Sequence, residues 1–309
     1  MSFTSEVKDE LARVEPTCSH CSRATLAAIA RIEGTLYMSG RGKNRLEIAT
    51  DIPSVARLAI KLIHEIYGLR TELTMRHSVL HKTPNYLINI PAQPNLNEAL
   101  IDLGILADKG IEMGVKADLV SKQCCAAAYL RGVFMGSGFI ANPRGDFHFE
   151  ITVESQDMAN DLVALMSDRG LNPRIKQRRN SYMVYMKSGE AILEFLALVG
   201  AHQAALAMEN ERVVKSVRND VNRMANAEVA NSNKAAIASV DQIYAMRRVL
   251  ETYGIDDLPP ALQEIIRLRV AYPNATLKEL GELANPPLSK SAVYHRIRRI
   301  EQMAAEIKR

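Results

Sequence analysis

Two apolar, small-residue stretches recur in this chain 104 residues apart, and each closes on a glycine. The first reads Leu26-Ala27-Ala28-Ile29-Ala30-Arg31-Ile32-Glu33-Gly34; the second reads Leu130-Arg131-Gly132-Val133-Phe134-Met135-Gly136-Ser137-Gly138. Both have the composition of buried helices. In the second, Gly132 and Gly136 stand at i and i+4, which leaves one face of the helix without side chains. Glycine inside a helix costs roughly 1 kcal/mol against alanine, so two of them call for a packing reason, and a closely approaching partner helix supplies it. Ala28 matches Gly132 in the repeat and Ile32 matches Gly136. The pair therefore predicts small against small at one level and large against small at the next.

The segments after the two glycines are repeated as well. After Gly34 come two strand-like runs, residues 35–39 and 45–50, joined by a turn at Gly40-Arg41-Gly42-Lys43-Asn44. Val55, Leu58, Ala59, Leu62, Ile63 and Ile66 then hold helical spacing, with Asp51 or Ser54 as the expected cap and Gly68 as the stop. Strands near 71–75 and 86–90 and a helix over 95–103 complete the unit. After Gly138 the order returns: Glu150-Ile151 matches Glu47-Ile48, Gly170-Leu171 matches Gly68-Leu69, Tyr182 matches Tyr86 and Glu190-Ala191 matches Glu98-Ala99. The pattern is αββαββα, twice. Two long units fit a pseudo-two-fold α+β domain, since a solenoid needs shorter and more numerous repeats. An amphipathic helix over residues 3–14, with Phe3, Val7 and Leu11 on one face, precedes the first unit.

Of the 309 residues 47% are apolar, enough for two domains, each with its own core. No apolar run approaches the roughly 18 residues of a membrane span, and the opening residues are too acidic and polar for a signal peptide, so a cytoplasmic protein is expected. Four cysteines, Cys18, Cys21, Cys124 and Cys125, are too few for a disulfide framework. They precede the two repeated helices at matching places, so a symmetric fold would gather all four thiols. A lone Cys-x-x-Cys is a weak zinc signal, and the expectation is ordinary buried free thiols with no metal and no cofactor. The net charge of +4 is confined to one place: residues 289–309 hold six Lys and Arg against two Glu, as much as the excess of the whole chain. A basic terminus points to a polyanion.

The division read from the sequence is 1–205 for the duplicated domain, with repeats at about 15–105 and 120–205, then 206–239 as a helical Asn/Arg-rich linker, and 240–309 as an all-α domain. In the linker Val213, Val217 and Val221 form one helical stripe flanked by Lys215, Arg218, Asn219, Asn222 and Arg223, side chains suited to phosphate and base contacts. The last domain reads as a helix-turn-helix. Helices over 241–253 and 260–272 come first; Thr276 then caps a helix in which Leu280 and Leu283 face the core, and Asn285-Pro286-Pro287-Leu288 turns the chain. Ser289 caps a final helix with Val293, Ile297, Ile300 and Met303 or Ala304 buried. Its other faces carry Lys290, Ser291, Tyr294, His295, Arg296, Arg298 and Arg299, the N-terminal ones where a recognition helix meets base edges, and with Thr276 and Ser289 these are the expected DNA contacts of the domain. Arg174, Lys176 and Arg178 share one face of a strand in the second repeat and form a further candidate DNA contact.

A duplicated αββαββα unit whose first helix ends on acid-Gly or small-Gly resembles the LAGLIDADG homing-endonuclease fold. In that family the residue before the closing glycine supplies a metal-binding carboxylate. The matching positions here are Glu33 and Ser137, one acid and one hydroxyl, so the resemblance implies the fold without the nuclease. The whole chain resembles the WhiA family of bacterial sporulation and cell-division regulators, on four groups of residues. These are the Leu130–Gly138 helix, Val199-Gly200-Ala201-His202, the run from Arg218-Asn219-Asp220-Val221-Asn222-Arg223 to Asn231, and Leu280-Gly281-Glu282 through Ser289-Lys290-Ser291-Ala292-Val293-Tyr294-His295-Arg296. That resemblance implies a nucleoid-associated transcription regulator bound to double-stranded promoter DNA. Its implied roles are cell division and chromosome segregation, or sporulation in mycelial actinobacteria. Two readings compete with it: an interaction scaffold, in which the duplicated domain binds another transcription factor or RNA polymerase and DNA binding is secondary, and a residual metal-dependent DNA endonuclease.

Overall fold

A computed structural model describes residues 2–39, 43–77, 84–107 and 110–307, with no account of the Ser39 and His77 side chains. Gly40, Arg41 and Gly42 of the expected turn, and Lys308 and Arg309 of the basic end, lie outside the described residues. The chain forms two compact units, Met1–Lys215 and Ser216–Arg309.

The first unit repeats one order of elements. Its first half runs α1 (Phe3–Leu11), α2 (Ser19–Ile32), β1 (Gly34–Ser39), β2 (Lys43–Thr50), α3 (Pro53–Tyr67), β3 (Glu72–His77), β4 (Pro84–Ile90) and α4 (Leu96–Asp102). A short hairpin, β5 (Leu106–Ala107) and β6 (Gly110–Ile111), and a 3-10 turn at Ala117–Val120 lead into the second half. That half runs α5 (Gln123–Ser137), β7 (Gly138–Ile140), β8 (Phe149–Val153), α6 (Gln156–Ser167), β9 (Arg174–Arg178), β10 (Ser181–Met186) and α7 (Gly189–Val199). The sheets have the orders β1-β2-β4-β3 and β7-β8-β10-β9, antiparallel throughout. Even the register is copied: Gly34 faces Ile48 in one sheet and Gly138 faces Ile151 in the other, positions that correspond in the repeat.

The core of this unit is built on α2 and α5, whose inner faces are wholly buried. As the spacing predicts, Gly132 lies against Thr25 and Ala28, and Gly136 against Ile32. A Cβ on Gly132 would stand 2.6 Å from the Thr25 carbonyl oxygen, so the two backbones approach as closely as glycine allows. At the same level the Thr25 hydroxyl donates to the Ala128 carbonyl at 3.2 Å. Arg131, also buried, donates from Nε to the Val199 carbonyl at 2.7 Å and satisfies the end of α7.

The cap expected for α3 differs. Neither Asp51 nor Ser54 caps it: Ile52 holds the position, its N–H donates to the Thr50 hydroxyl, and Pro53 starts the helix with its fixed φ. Gly68 ends it at φ 63, as the sequence predicts.

The segment after Gly200 is one helix, α8 (His202–Tyr253), rather than a linker helix and a separate 241–253 helix. Its 52 residues contain neither glycine nor proline, so nothing breaks it between Gly200 and Gly254. The Glu10 carboxylate accepts the Gln203 and Ala204 N–H groups at 2.7 and 3.0 Å and caps its start.

In the second unit α9 (Pro260–Ala271), α10 (Leu277–Leu283) and α11 (Lys290–Glu306) pack with Met246 and Val249 of α8 around Ile265, Leu280, Val293, Ile297 and Ile300. Leu283 is 46% exposed, contrary to the helical count, and Ala284 is buried instead. The chain leaves α10 at that point, and the residue four after Leu280, not three, lands inward.

Candidate nucleic-acid interface

The exposed side of α11 is defined by what its other side buries. Val293, Ile297, Ile300 and Ala304 form the inward stripe, with Met303 only packed against it. Ser291, Tyr294, His295 and Arg298, at i, i+3, i+4 and i+7, then share the outward face, with Lys290 and Arg299 flanking it, all exposed. Tyr294 and His295 meet edge to face at 5.6 Å between ring centres. The Ser289 hydroxyl accepts the Ala292 N–H at 3.2 Å, and Thr276 closes a capping box with Glu279 on α10. Both residues therefore fix helix starts.

Arg296 stands apart from the other candidates. Its guanidinium pairs with Glu264 of α9 at 2.9 Å, half-buried, so this charge joins α11 to α9 instead of facing outward. The other Glu264 oxygen accepts the Asn285 N–H at 2.9 Å, so one carboxylate holds both the turn and the helix after it. Sequence reasoning missed Glu264, because nothing in local spacing links it to a helix some thirty residues on. Gly281 is buried beneath the turn, and its carbonyl accepts the Leu288 N–H at 2.8 Å. Arg298 reaches Glu301 at 3.8 Å, a loose surface pair of little energetic weight.

On α8, Arg218, Asn219, Asn222 and Arg223 are exposed, as is every residue from 216 to 238; Arg223 pairs with Asp220. On β9 all five residues are exposed, Arg174, Lys176 and Arg178 alternating with Ile175 and Gln177, and Arg178 lies 3.4 Å from Glu150.

At the glycine ends of α2 and α5, Glu33 and Ser137 hold corresponding positions in the repeat, but a third residue joins them. Lys8 of α1 is buried and donates from Nζ to the Gly136 carbonyl at 2.7 Å. Burial holds its ammonium below the usual lysine range, with Asp51 and Glu33 opposing. Burial pushes the Glu33 carboxyl up to about 7, which Lys8 counteracts and Asp51 reinforces. The Ser137 hydroxyl is buried with no hydrogen-bond partner among the described residues. Phosphodiester cleavage with divalent cations needs several hard anionic oxygens. Here one acid is matched by a hydroxyl, and the chain's own cation stands at the helix ends.

The shifted carboxyl gives a testable pH dependence. Between its unfolded value of ~4.3 and its folded value of about 7, the folded state binds the extra proton, so the stabilisation is complete below the lower value and lost as pH rises through the upper one. From pH 5 to pH 8 the parent should lose about 2 kcal/mol more of unfolding free energy than Glu33→Gln, read by denaturant titration. Parallel pH profiles for the two proteins would put this carboxyl in water.

Family models match along most of the chain. The WhiA N-terminal LAGLIDADG-like domain matches residues 19–106, the WhiA LAGLIDADG-like domain residues 126–218, and the WhiA C-terminal HTH domain residues 221–304. A probable cell division protein WhiA of Desulforamulus reducens is 42% identical over 311 residues, covering 100% of this chain and 97% of the relative. The chain belongs to the WhiA family. A second WhiA relative, from Desulforudis audaxviator, is 42% identical over 99% of this chain and 98% of its own length. The crystal structure of full-length DUF199/WhiA from Thermatoga maritima covers 99% of both chains with a TM-score of 0.61 at 22% identity. That likeness establishes a common WhiA fold: a LAGLIDADG-like domain of mixed helix and sheet, then a helical region with the HTH domain.

Proposed function

We propose that this chain is a sequence-specific DNA-binding transcription regulator acting in cell division and chromosome segregation, or in sporulation where cells grow as mycelium, and that it cuts no DNA. The outward face of α11 carries the reading: a capped helix, held by its buried stripe and by Arg296–Glu264, presents Lys290, Ser291, Tyr294, His295, Arg298 and Arg299 together. That is the make-up of a recognition helix, with hydroxyl and ring groups at its start for base edges and guanidinium groups further on for phosphates. The relatives' cell-division names and the HTH match support the same reading. Promoter DNA is the primary partner, which places the protein at the nucleoid, and α8 offers Arg218, Asn219, Asn222 and Arg223 to the same DNA or to RNA polymerase or another transcription factor. Residues 1–205 then act as the scaffold and 240–309 as the reader.

Titration of a labelled promoter fragment with the full-length protein tests this. Arg298→Ala and Arg299→Ala should weaken binding to all sequences and each lower the salt slope by about 1. Ser291→Ala and His295→Ala should instead narrow the gap between specific and random DNA, by about 1–3 kcal/mol. Unchanged affinity in all four variants would remove α11 from the interface. Cleavage of supercoiled plasmid by the parent with Mg²⁺ would overturn the non-nuclease half.

A further inference from the structure

Cys18 and Cys21 stand at the start of α2, and Cys124 and Cys125 at the start of α5. The close packing of those two helices brings all four sulfurs to within 4.8 Å of one another. Cys18 Sγ lies 3.4 Å from Cys21, 3.6 Å from Cys125 and 3.7 Å from Cys124. Four sulfurs bound to one zinc at about 2.3 Å stand at the corners of a tetrahedron with edges of about 3.8 Å. The observed spacings already sit near that edge. Cys21 and Cys125 are buried, and Cys18 and Cys124 close the outer side.

From this geometry we propose a structural Zn²⁺ site with a complete tetrathiolate ligand set, two ligands from each repeat. Zinc fits the donors, because soft thiolates in tetrahedral array select it and four protein ligands leave no open position for chemistry. Sulfurs this close enclose a single ion, not a cluster of several irons, whose ligating cysteines must stand around a larger body. The helices supply the electrostatics: neither α2 nor α5 has a side-chain cap, and the thiols stand at their starts, where the positive end of each helix favours the negative charge of a tetrathiolate centre. On binding, four S–H bonds ionise and their protons pass to solvent, the ion sheds its bound waters, and four Zn–S bonds replace the Zn–O bonds; no electron moves. The ion pins the two repeats together at the end of the helix pair away from Gly34 and Gly138.

Elemental analysis of the full-length protein, purified under reducing conditions without chelator, tests the site. About one zinc per chain and no iron are expected. After removal of the ion with a mercurial and chelator, Co²⁺ should give the intense near-ultraviolet charge-transfer band and the red d–d bands of tetrahedral thiolate cobalt, bleached by stoichiometric Zn²⁺. Cys18→Ser and Cys124→Ser, chosen at the two half-exposed positions, should fold by circular dichroism yet lose zinc and that spectrum. If either variant fails to fold, the cobalt titration of the parent decides alone. Four freely reactive thiols in native protein with no cobalt bands would overturn the proposal. So would an intact mass short by two hydrogens per disulfide.

Discussion

Gly132→Leu is expected to destabilise the first unit by about 3 kcal/mol or more, at the upper end of what overpacking costs. The reason is rigidity. The first added carbon meets the Thr25 carbonyl oxygen at 2.6 Å and the Ala28 Cβ at 2.7 Å, both fixed to the backbone of α2. Neither group can swing away, so α2 and α5 must separate, and the Thr25–Ala128 hydrogen bond goes with them. At Gly136 the first contacts are with Ile32, Cγ2 at 2.6 Å and Cβ at 2.9 Å, so no backbone oxygen is met and only the more distant of the two atoms is fixed to the backbone of α2. Gly136→Leu should therefore cost less than Gly132→Leu. Denaturant midpoints of the two variants, measured with parallel slopes, give the order directly, and a reversed order would mean that the helices cross elsewhere.

Gly281→Val should cost DNA recognition without touching the duplicated domain. A Cβ there would lie 2.3 Å from the Leu288 carbonyl oxygen, in the turn that launches α11. The same turn is held by the Leu288 N–H on the Gly281 carbonyl, so the clash lifts the turn and tilts the helix behind it. Promoter affinity should fall on the order of 100-fold, equivalent to about 2.7 kcal/mol. A valine variant that binds as well as the parent would show that α11 does not need the turn to hold its position.

The sequence patterns that proved most legible are those that repeat. Two αββαββα units could be aligned through Glu47 with Glu150, Gly68 with Gly170 and Tyr86 with Tyr182, because each such position answers a local demand: a strand residue, a left-handed backbone after a helix, a strand residue paired on both sides. The packing of α2 on α5 was legible for the same reason, since glycines at i and i+4 leave few alternatives. What local pattern could not show were relations between distant segments. Glu264 reaching Arg296 and Asn285 depends on how α9 lies across α11. Lys8 arriving beside Glu33 depends on α1 folding back over the helix ends. The hairpin of β5 and β6 has only two residues in each strand, too few to display an alternation. The four cysteines lie between these cases. Their places at the starts of the two repeated helices announced the meeting, and only the spacing of the sulfurs carries the zinc proposal.

Whether α11 directs this chain to particular promoters is answered by a genome-wide occupancy map in living cells. Immunoprecipitation of the parent and of a Lys290→Ala, His295→Ala, Arg299→Ala variant, expressed at equal levels, is the required comparison. A reader helix at α11 should give the parent discrete peaks upstream of genes that share one sequence element, and the variant should lose those peaks. Occupancy that is uniform in both, or peaks that persist unchanged in the variant, would contradict a reading role for α11.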